Sequence, residues 1–262
     1  MRIISGLVLA VLAYLGIWHL SSDIFSYIIL GICAAAALEF AQLVTPNKTE
    51  RYACLLLTLL CANLMLDGML SAVLAALVFS LFVLGLVVMR QSQQIEKATA
   101  QYGVLMLGLC YVGLTLPMWA WLHRLPSGRA WVLLGIAAAA LCDTFAWFVG
   151  KNWGKKKFSP IISPKKTWAG YWGSLLGSFC GATLVWYLAL QTQVAFVHVF
   201  ASAGIIWITG PFGDLIESML KRSAGVKDSG HIIPGHGGIL DRMDALIFTG
   251  PALYWYVTTF VQ

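Results

Sequence analysis

The sequence predicts an all-α polytopic membrane protein of about nine transmembrane helices, on three observations. The chain is 60% hydrophobic and only 11% charged, with a mean hydropathy of +0.81, whereas a soluble domain carries about 25% charged residues. Its apolar residues fall in runs close to the roughly 20 needed to cross a hydrocarbon core about 30 Å thick. Its charges, 17 basic against 11 acidic, are bunched between those runs instead of being spread over a surface.

In chain order the runs lie at about 3–20, 24–44, 52–66, 69–89, 102–122, 130–150, 168–190, 194–212 and 245–261. The first begins Met1-Arg2 like a secretory signal, but it is long for one and lacks a small-x-small cleavage site before Ser21, so it reads as an anchor. The third is short, and Asp67-Gly68 separates it from the fourth, which suits a tight hairpin or a partly re-entrant pair. Under nine-span threading Arg2, Lys48, Arg51, Arg90, Lys97, the 151–166 loop and the 221–242 region fall on one side, with only Arg124 and Arg129 opposite. Basic loops favour the cytosol, so the N-terminus and the charged loops are expected inside and the C-terminal Gln262 outside. Cys33, Cys54, Cys61, Cys110, Cys142 and Cys180 all fall in predicted spans with no metal-site spacing, and read as packing residues. With no repeat, low-complexity tract or soluble linker, residues 1–262 are expected to form one integral membrane domain, 1–130 giving N-terminal spans and 131–262 a catalytic half.

Ionisable residues at membrane depth are costly and face a bundle interior or a wet cavity. For Glu39 and Asp67 a structural reading, interhelical hydrogen bonding or an interfacial position, is at least as good as a functional one. His19, His123 and His198 lie near span ends, where an amphipathic ring is ordinary. Asp143 reads as functional, because it opens Asp143-Thr144-Phe145-Ala146-Trp147-Phe148-Val149-Gly150 and leads directly into a loop with six lysines.

That loop ends in Ser163-Pro164-Lys165-Lys166-Thr167. Attraction to anionic headgroups, about 1 kcal/mol per lysine, would not require this order of residues. Pro164 presets a turn, Thr167 caps the next span, and a helix N-terminus beside two ammonium groups makes a site for an anion such as phosphate.

Between residues 209 and 244 acidic groups join the basic ones. After the Gly210-Pro211 break, helical spacing puts Asp214, Glu217 or Ser218, and Lys221 on one face. Gly235, Gly237 and Gly238 let backbone approach a ligand, and Asp241 and Asp244 lie one helical turn apart at the start of the last span. Carboxylates so spaced, facing Asp214, suit a hard cation such as Mg²⁺, commonly held by one or two carboxylates and substrate phosphates. Metal and lysines together point to phosphoryl chemistry. A salt-bridge cluster anchoring the last helix is the plainer alternative, but surface pairs contribute only about 0–1 kcal/mol and leave the glycines without a reason.

At these residues the chain resembles the phosphatidate cytidylyltransferases, or CDP-diacylglycerol synthases. Their signature S-x-L-K-R-x4-K-D-x-G-x2-I-P-x-H-G-G-x2-D-R-x-D is met without a gap by Ser218, Leu220, Lys221, Arg222, Lys227, Asp228, Gly230, Ile233, Pro234, His236, Gly237, Gly238, Asp241, Arg242 and Asp244. Asp143–Gly150 and Ser163–Thr167 are similar to the family's upstream blocks, with Trp147 where Tyr is usual and Ala169 where Glu is frequent. The resemblance covers the C-terminal half; the first 130 or so residues share only apolar spans.

The resemblance implies that CTP and phosphatidic acid give CDP-diacylglycerol and pyrophosphate in a cytosol-facing polar catalytic cavity; the few disulfide signals and short loops lead us to expect a bacterial-type inner membrane. It implies Mg²⁺, with a monovalent cation such as K⁺ able to sit beside it. Asp214, Asp241 and Asp244 are the expected metal ligands, with Asp143 near them. Lys165, Lys166, Lys221, Arg222, Lys227 and Arg242 are expected on the phosphates, Arg being suited to bidentate contact. Ser163, Thr167, Ser218, Asp228 and the amides of Gly237 and Gly238 are expected to bind substrate, and His236 to donate a hydrogen bond. The partners are CTP, phosphatidic acid and the lipid bilayer, with no nucleic acid; a homodimer is one arrangement open to the chain. A CDP-alcohol transferase would carry a D-G-x2-A-R helix that is missing here, and a transporter would carry inverted repeats and mid-span charges, neither of which is found.

Overall fold

A computed structural model describes residues 2–92, 94–230, 232 and 237–262. Every predicted span is largely helical, the one at 102–122 being divided by turns at 114–117. By length and apolarity seven helices among the described residues are able to cross a membrane. The first and last segments are α1 (Arg2–His19) and the 15-residue α11 (Leu246–Phe260); neither is among the seven, so the count by these criteria is lower than the nine expected.

The chain divides into two compact units, each assembled from separate stretches. One comprises residues 21–120 and 228–242. It holds α2 (Ser22–Val44), α3 (Lys48–Leu66), α4 (Leu70–Gln91) and α5 (Ile95–Gly113). Ser21 caps α2 by accepting from Ile24 N, and Asn47 caps α3 by accepting from Thr49 N at 2.9 Å, the local signals that start helices. α3 begins four residues before the predicted run, and Gly68, at φ 72°, turns the chain sharply into α4. The pair is thus a tight helical hairpin. Cys54, Leu57, Cys61, Leu84, Leu105 and Leu109 form a core between α3, α4 and α5, while Leu74, Val78 and Phe82 of α4 are exposed, as an outward face bathed by lipid requires.

The other unit comprises residues 1–20, 121–227 and 243–262, with α6 (Met118–Arg124) leading into it. Its long helices are α7 (Gly128–Trp153), α8 (Trp168–Val185, extended by a π-turn at Trp186–Leu190) and α9 (Val197–Ser223). Small residues of α8 let it lie against α7: a Cβ on Gly177 would fall 2.2 Å from the Leu141 carbonyl oxygen. Membrane helices associate through such small-residue contacts because lipid removes the hydrophobic drive.

Two features depart from expectation. The lysine loop is an antiparallel hairpin, β1 (Lys157–Ser159) with β2 (Ser163–Thr167), so Pro164 lies in a strand and the turn falls at residues 160–162. In a two-stranded ribbon both strands are edges, where a missing N–H is tolerated. α9 also runs unbroken through Gly210-Pro211, as membrane helices accept proline when neighbours satisfy the freed backbone. All six cysteines are free, with Cys33, Cys54, Cys61 and Cys142 buried and Cys180 exposed.

Candidate functional site

The unbroken α9 carries Asp214, Glu217, Ser218 and Lys221 down one face, at helical spacing. Ser218 Oγ donates to Asp214 Oδ1 at 3.1 Å, and the buried Lys221 pairs with the buried Glu217. The segment entering α11 brings Asp244 to this face, since Gly213 has no side chain to hold the Asp244 backbone away. As a result Asp214, Glu217 and Asp244 each offer a carboxylate oxygen within 4.8 Å of the others.

Crowded acids resist ionisation. The Asp244 carboxyl is pushed well above the usual carboxylate range, by its burial first and then by the charges of Asp214, Asp143 and Glu217; the Ala245 N–H, donating at 2.7 Å, opposes this. Lys166 reaches in from β2, its Nζ 2.8 Å from Asp214 Oδ2 and donating to the Pro211 carbonyl at 3.1 Å. Lys166 and Lys221 therefore serve as counter-ions to carboxylates before any phosphate is bound. The cluster still wants positive charge, and a hard cation with oxygen ligands fits its donor set.

Beside it, within the same unit, a cavity of about 540 Å³ opens between α7, the hairpin and α8. Lys151, Lys157, Lys165 and Lys166 line it together with Asp143 and Asp214. Its apolar wall includes Trp147, Phe158 and Tyr171, the last two stacked with centroids 4.9 Å apart. The hairpin is held at the cavity by Thr167, whose Oγ1 caps α8 by accepting from Gly170 N at 3.2 Å. Thr167→Val keeps the shape and loses the cap, and should destabilise the protein by about 1 kcal/mol, read as a lowered melting temperature in detergent.

The remaining site residues have other surroundings. Ser163 pairs with Ser159 across the hairpin. Arg222, exposed, donates to the Val226 carbonyl at 2.9 Å; Lys227, Asp228 and Arg242 are exposed as well. In the unit that contains it, Asp241 is buried, and its Oδ2 accepts from Ser229 N (2.9 Å), Ser229 Oγ (2.9 Å) and Gly238 N (2.8 Å). Gly237, at φ 78°, makes this turn possible. His231, Ile233, Pro234, Gly235 and His236, including the hydrogen-bond donor expected from the sequence, lie outside the described residues. Two acids stand out beyond those expected to act: Glu217, legible only as one of two residues on the α9 face, and Glu39, whose signal was an acid inside a span.

Apolar helices of spanning length, with a lysine-lined cavity beside a carboxylate cluster, define an integral membrane protein built to handle a polyanion. The sequence pattern of the Cytidylyltransferase family matches residues 1–260, and the chain belongs to that family. A phosphatidate cytidylyltransferase of Pseudomonas aeruginosa is 32% identical over 263 residues, covering 97% of this chain and 96% of its own length. One of Bacillus subtilis is 35% identical over 161 residues, 61% of this chain and 60% of that relative, and one of Synechocystis is 43% identical over 157 residues, 56% and 52% respectively. The chain thus spans only about half to three fifths of the last two relatives.

Proposed function

We propose that this protein is a phosphatidate cytidylyltransferase, converting CTP and phosphatidic acid to CDP-diacylglycerol and pyrophosphate. The observation that carries this is the carboxylate trio of Asp214, Glu217 and Asp244 beside a cavity lined by four lysines, on a chain whose relatives bear that name. In the reaction a phosphate oxygen of the lipid attacks the α-phosphorus of CTP, and the bond to the bridging oxygen breaks, its electron pair leaving with pyrophosphate. The lipid phosphate is largely ionised at neutral pH, so the protein's task is alignment and charge neutralisation.

Asp214, Glu217 and Asp244 would hold Mg²⁺, with Asp241 as the further ligand expected from the sequence; a K⁺ beside it is the finer part of the proposal. When bound, the ion neutralises charge on the phosphates and orients them. The three donors on Asp241 Oδ2 are what fixes a carboxylate's direction before it binds. Lys151, Lys157 and Lys165 draw phosphates into the cavity, while Lys166 holds Asp214 in place. Lys221 does the same for Glu217. Arg222, Lys227, Arg242 and the Gly237–Gly238 amides are assigned to the phosphates. The active site and N-terminus face the cytosol of a bacterial-type inner membrane, with the C-terminus outside.

Labelled CTP, phosphatidic acid and the purified protein in detergent should yield labelled CDP-lipid; no product with phosphatidic acid would sink the proposal. Lys165→Ala should raise KM for one or both substrates about tenfold, the value of one charge-assisted contact, without lowering the melting temperature. An unchanged KM for both would make the hairpin a lipid-surface patch only.

A further inference from the structure

Glu39 lies in α2, an apolar helix far from the signature in sequence, yet its carboxylate is buried to 2% exposure. It is not alone there. Oε1 accepts from Ile239 N at 3.0 Å, and Oε2 accepts from Leu240 N at 2.8 Å and from Ser229 Oγ at 3.1 Å. All three donors belong to the segment that carries the signature, and all lie in one compact unit. The fit is close: a Cβ on Gly238 would fall 2.2 Å from Glu39 Oε2, and one on Gly230 2.6 Å from Oε1. Ser229 Oγ is shared, since Asp241 Oδ2 lies 2.9 Å from it. Two carboxylates, one from α2 and one from the signature, therefore share Ser229 and hold the backbone at 238–240 between them.

A carboxylate placed in a span is costly and is kept where its environment uses it. The three hydrogen-bond partners described for it are all donors, and a carboxylate has the acceptor sites to take them. The bonds go to main-chain N–H groups at 239 and 240, immediately before Asp241 and Arg242. They fix the backbone from which Asp241 and Arg242 project.

We propose that Glu39 is a positioning residue: its buried carboxylate holds Ser229 and the Ile239–Leu240 backbone and so orients Asp241 and Arg242 for substrate without touching substrate itself. This rests on the function proposed above. It assigns to the N-terminal spans a part in the chemistry beyond anchoring.

The test compares Glu39→Gln, Glu39→Asp and Ser229→Ala with wild type in two assays. Glu39→Gln turns an N–H₂ toward a backbone donor, so the turn should loosen. Trypsin should then cut after Lys227 and Arg242 at least about tenfold faster. The CTP or Mg²⁺ concentration giving half-maximal activity should rise roughly tenfold or more, the scale for losing a group that orients a ligand. That quantity does not depend on how many molecules are folded. Glu39→Asp, which keeps the acceptors one methylene short, should recover part of both effects, and Ser229→Ala should show them more weakly than Glu39→Gln. The proposal is overturned if Glu39→Gln and Ser229→Ala keep wild-type proteolysis and half-saturation. It is equally overturned if activity falls only in step with the melting temperature while half-saturation stays put, which is the behaviour of a merely structural acid. A wild type that makes no CDP-lipid would defeat the function proposed above and leave the proteolysis comparison as the test of Glu39.

Discussion

Asp214→Asn should lower CDP-lipid formation by at least about 10²-fold, the scale on which one preorganised electrostatic group acts in a transition state, while the protein inserts and melts almost as wild type does. The two effects separate because of where Asp214 sits. Its ion pair with Lys166 is partly open to solvent on both sides, at 24% and 29% exposure, and pairs of that kind are worth about 0–1 kcal/mol. Asparagine also keeps an oxygen for Ser218 Oγ, which now bonds to Asp214 Oδ1. What it removes is negative charge from a trio in which burial first, and then the neighbouring charges, push the Asp244 carboxyl upward. In wild type a chelator should abolish turnover and Mg²⁺ restore it; in Asp214→Asn the added ion should restore little. Turnover within a fewfold of wild type would remove the carboxylate cluster from the reaction.

Local signals carried the elements well and the long-range partners poorly. The apolar runs became helical, only that at 102–122 being divided, because length and apolarity are properties of the run itself, and Thr167 caps α8 because capping is decided within three residues. The same locality misleads at Pro211: read alone, Gly210-Pro211 breaks a helix, but α9 continues through it, packed against α7, α8 and α11, which come from elsewhere in the chain. The lysine hairpin escaped notice for a related reason. Its strands are three and five residues long, too short to show a period of two. In the site, spacing of three and four put Asp214 and Glu217 on one face of α9, but it did not choose between Glu217 and Ser218. Burial and the contact with Lys221 make that choice. Glu39 lies 190 residues from Ser229, and no window on the sequence joins them.

The second large effect follows from a glycine in α9. A Cβ on Gly213 would fall 2.4 Å from the Asp244 carbonyl oxygen and 3.4 Å from its carbon. The obstacle is backbone, which has no rotamer to give, so Gly213→Ala must move either α9 or the segment entering α11. Overpacking of this kind costs about 1–3 kcal/mol. The displaced group is Asp244, and a shift near 1 Å at a reacting centre costs on the order of 10²-fold in rate, so the loss of turnover should exceed what the fall in melting temperature accounts for. Gly204 supplies the control. It lies in the same helix, and a Cβ there meets nothing within 4 Å. Gly204→Ala should hold or raise stability by up to about 1 kcal/mol, since alanine is the better helix former, and leave turnover unchanged. Equal behaviour of the two variants would mean that the approach of Asp244 to α9, and with it the carboxylate trio, is not what the reaction requires.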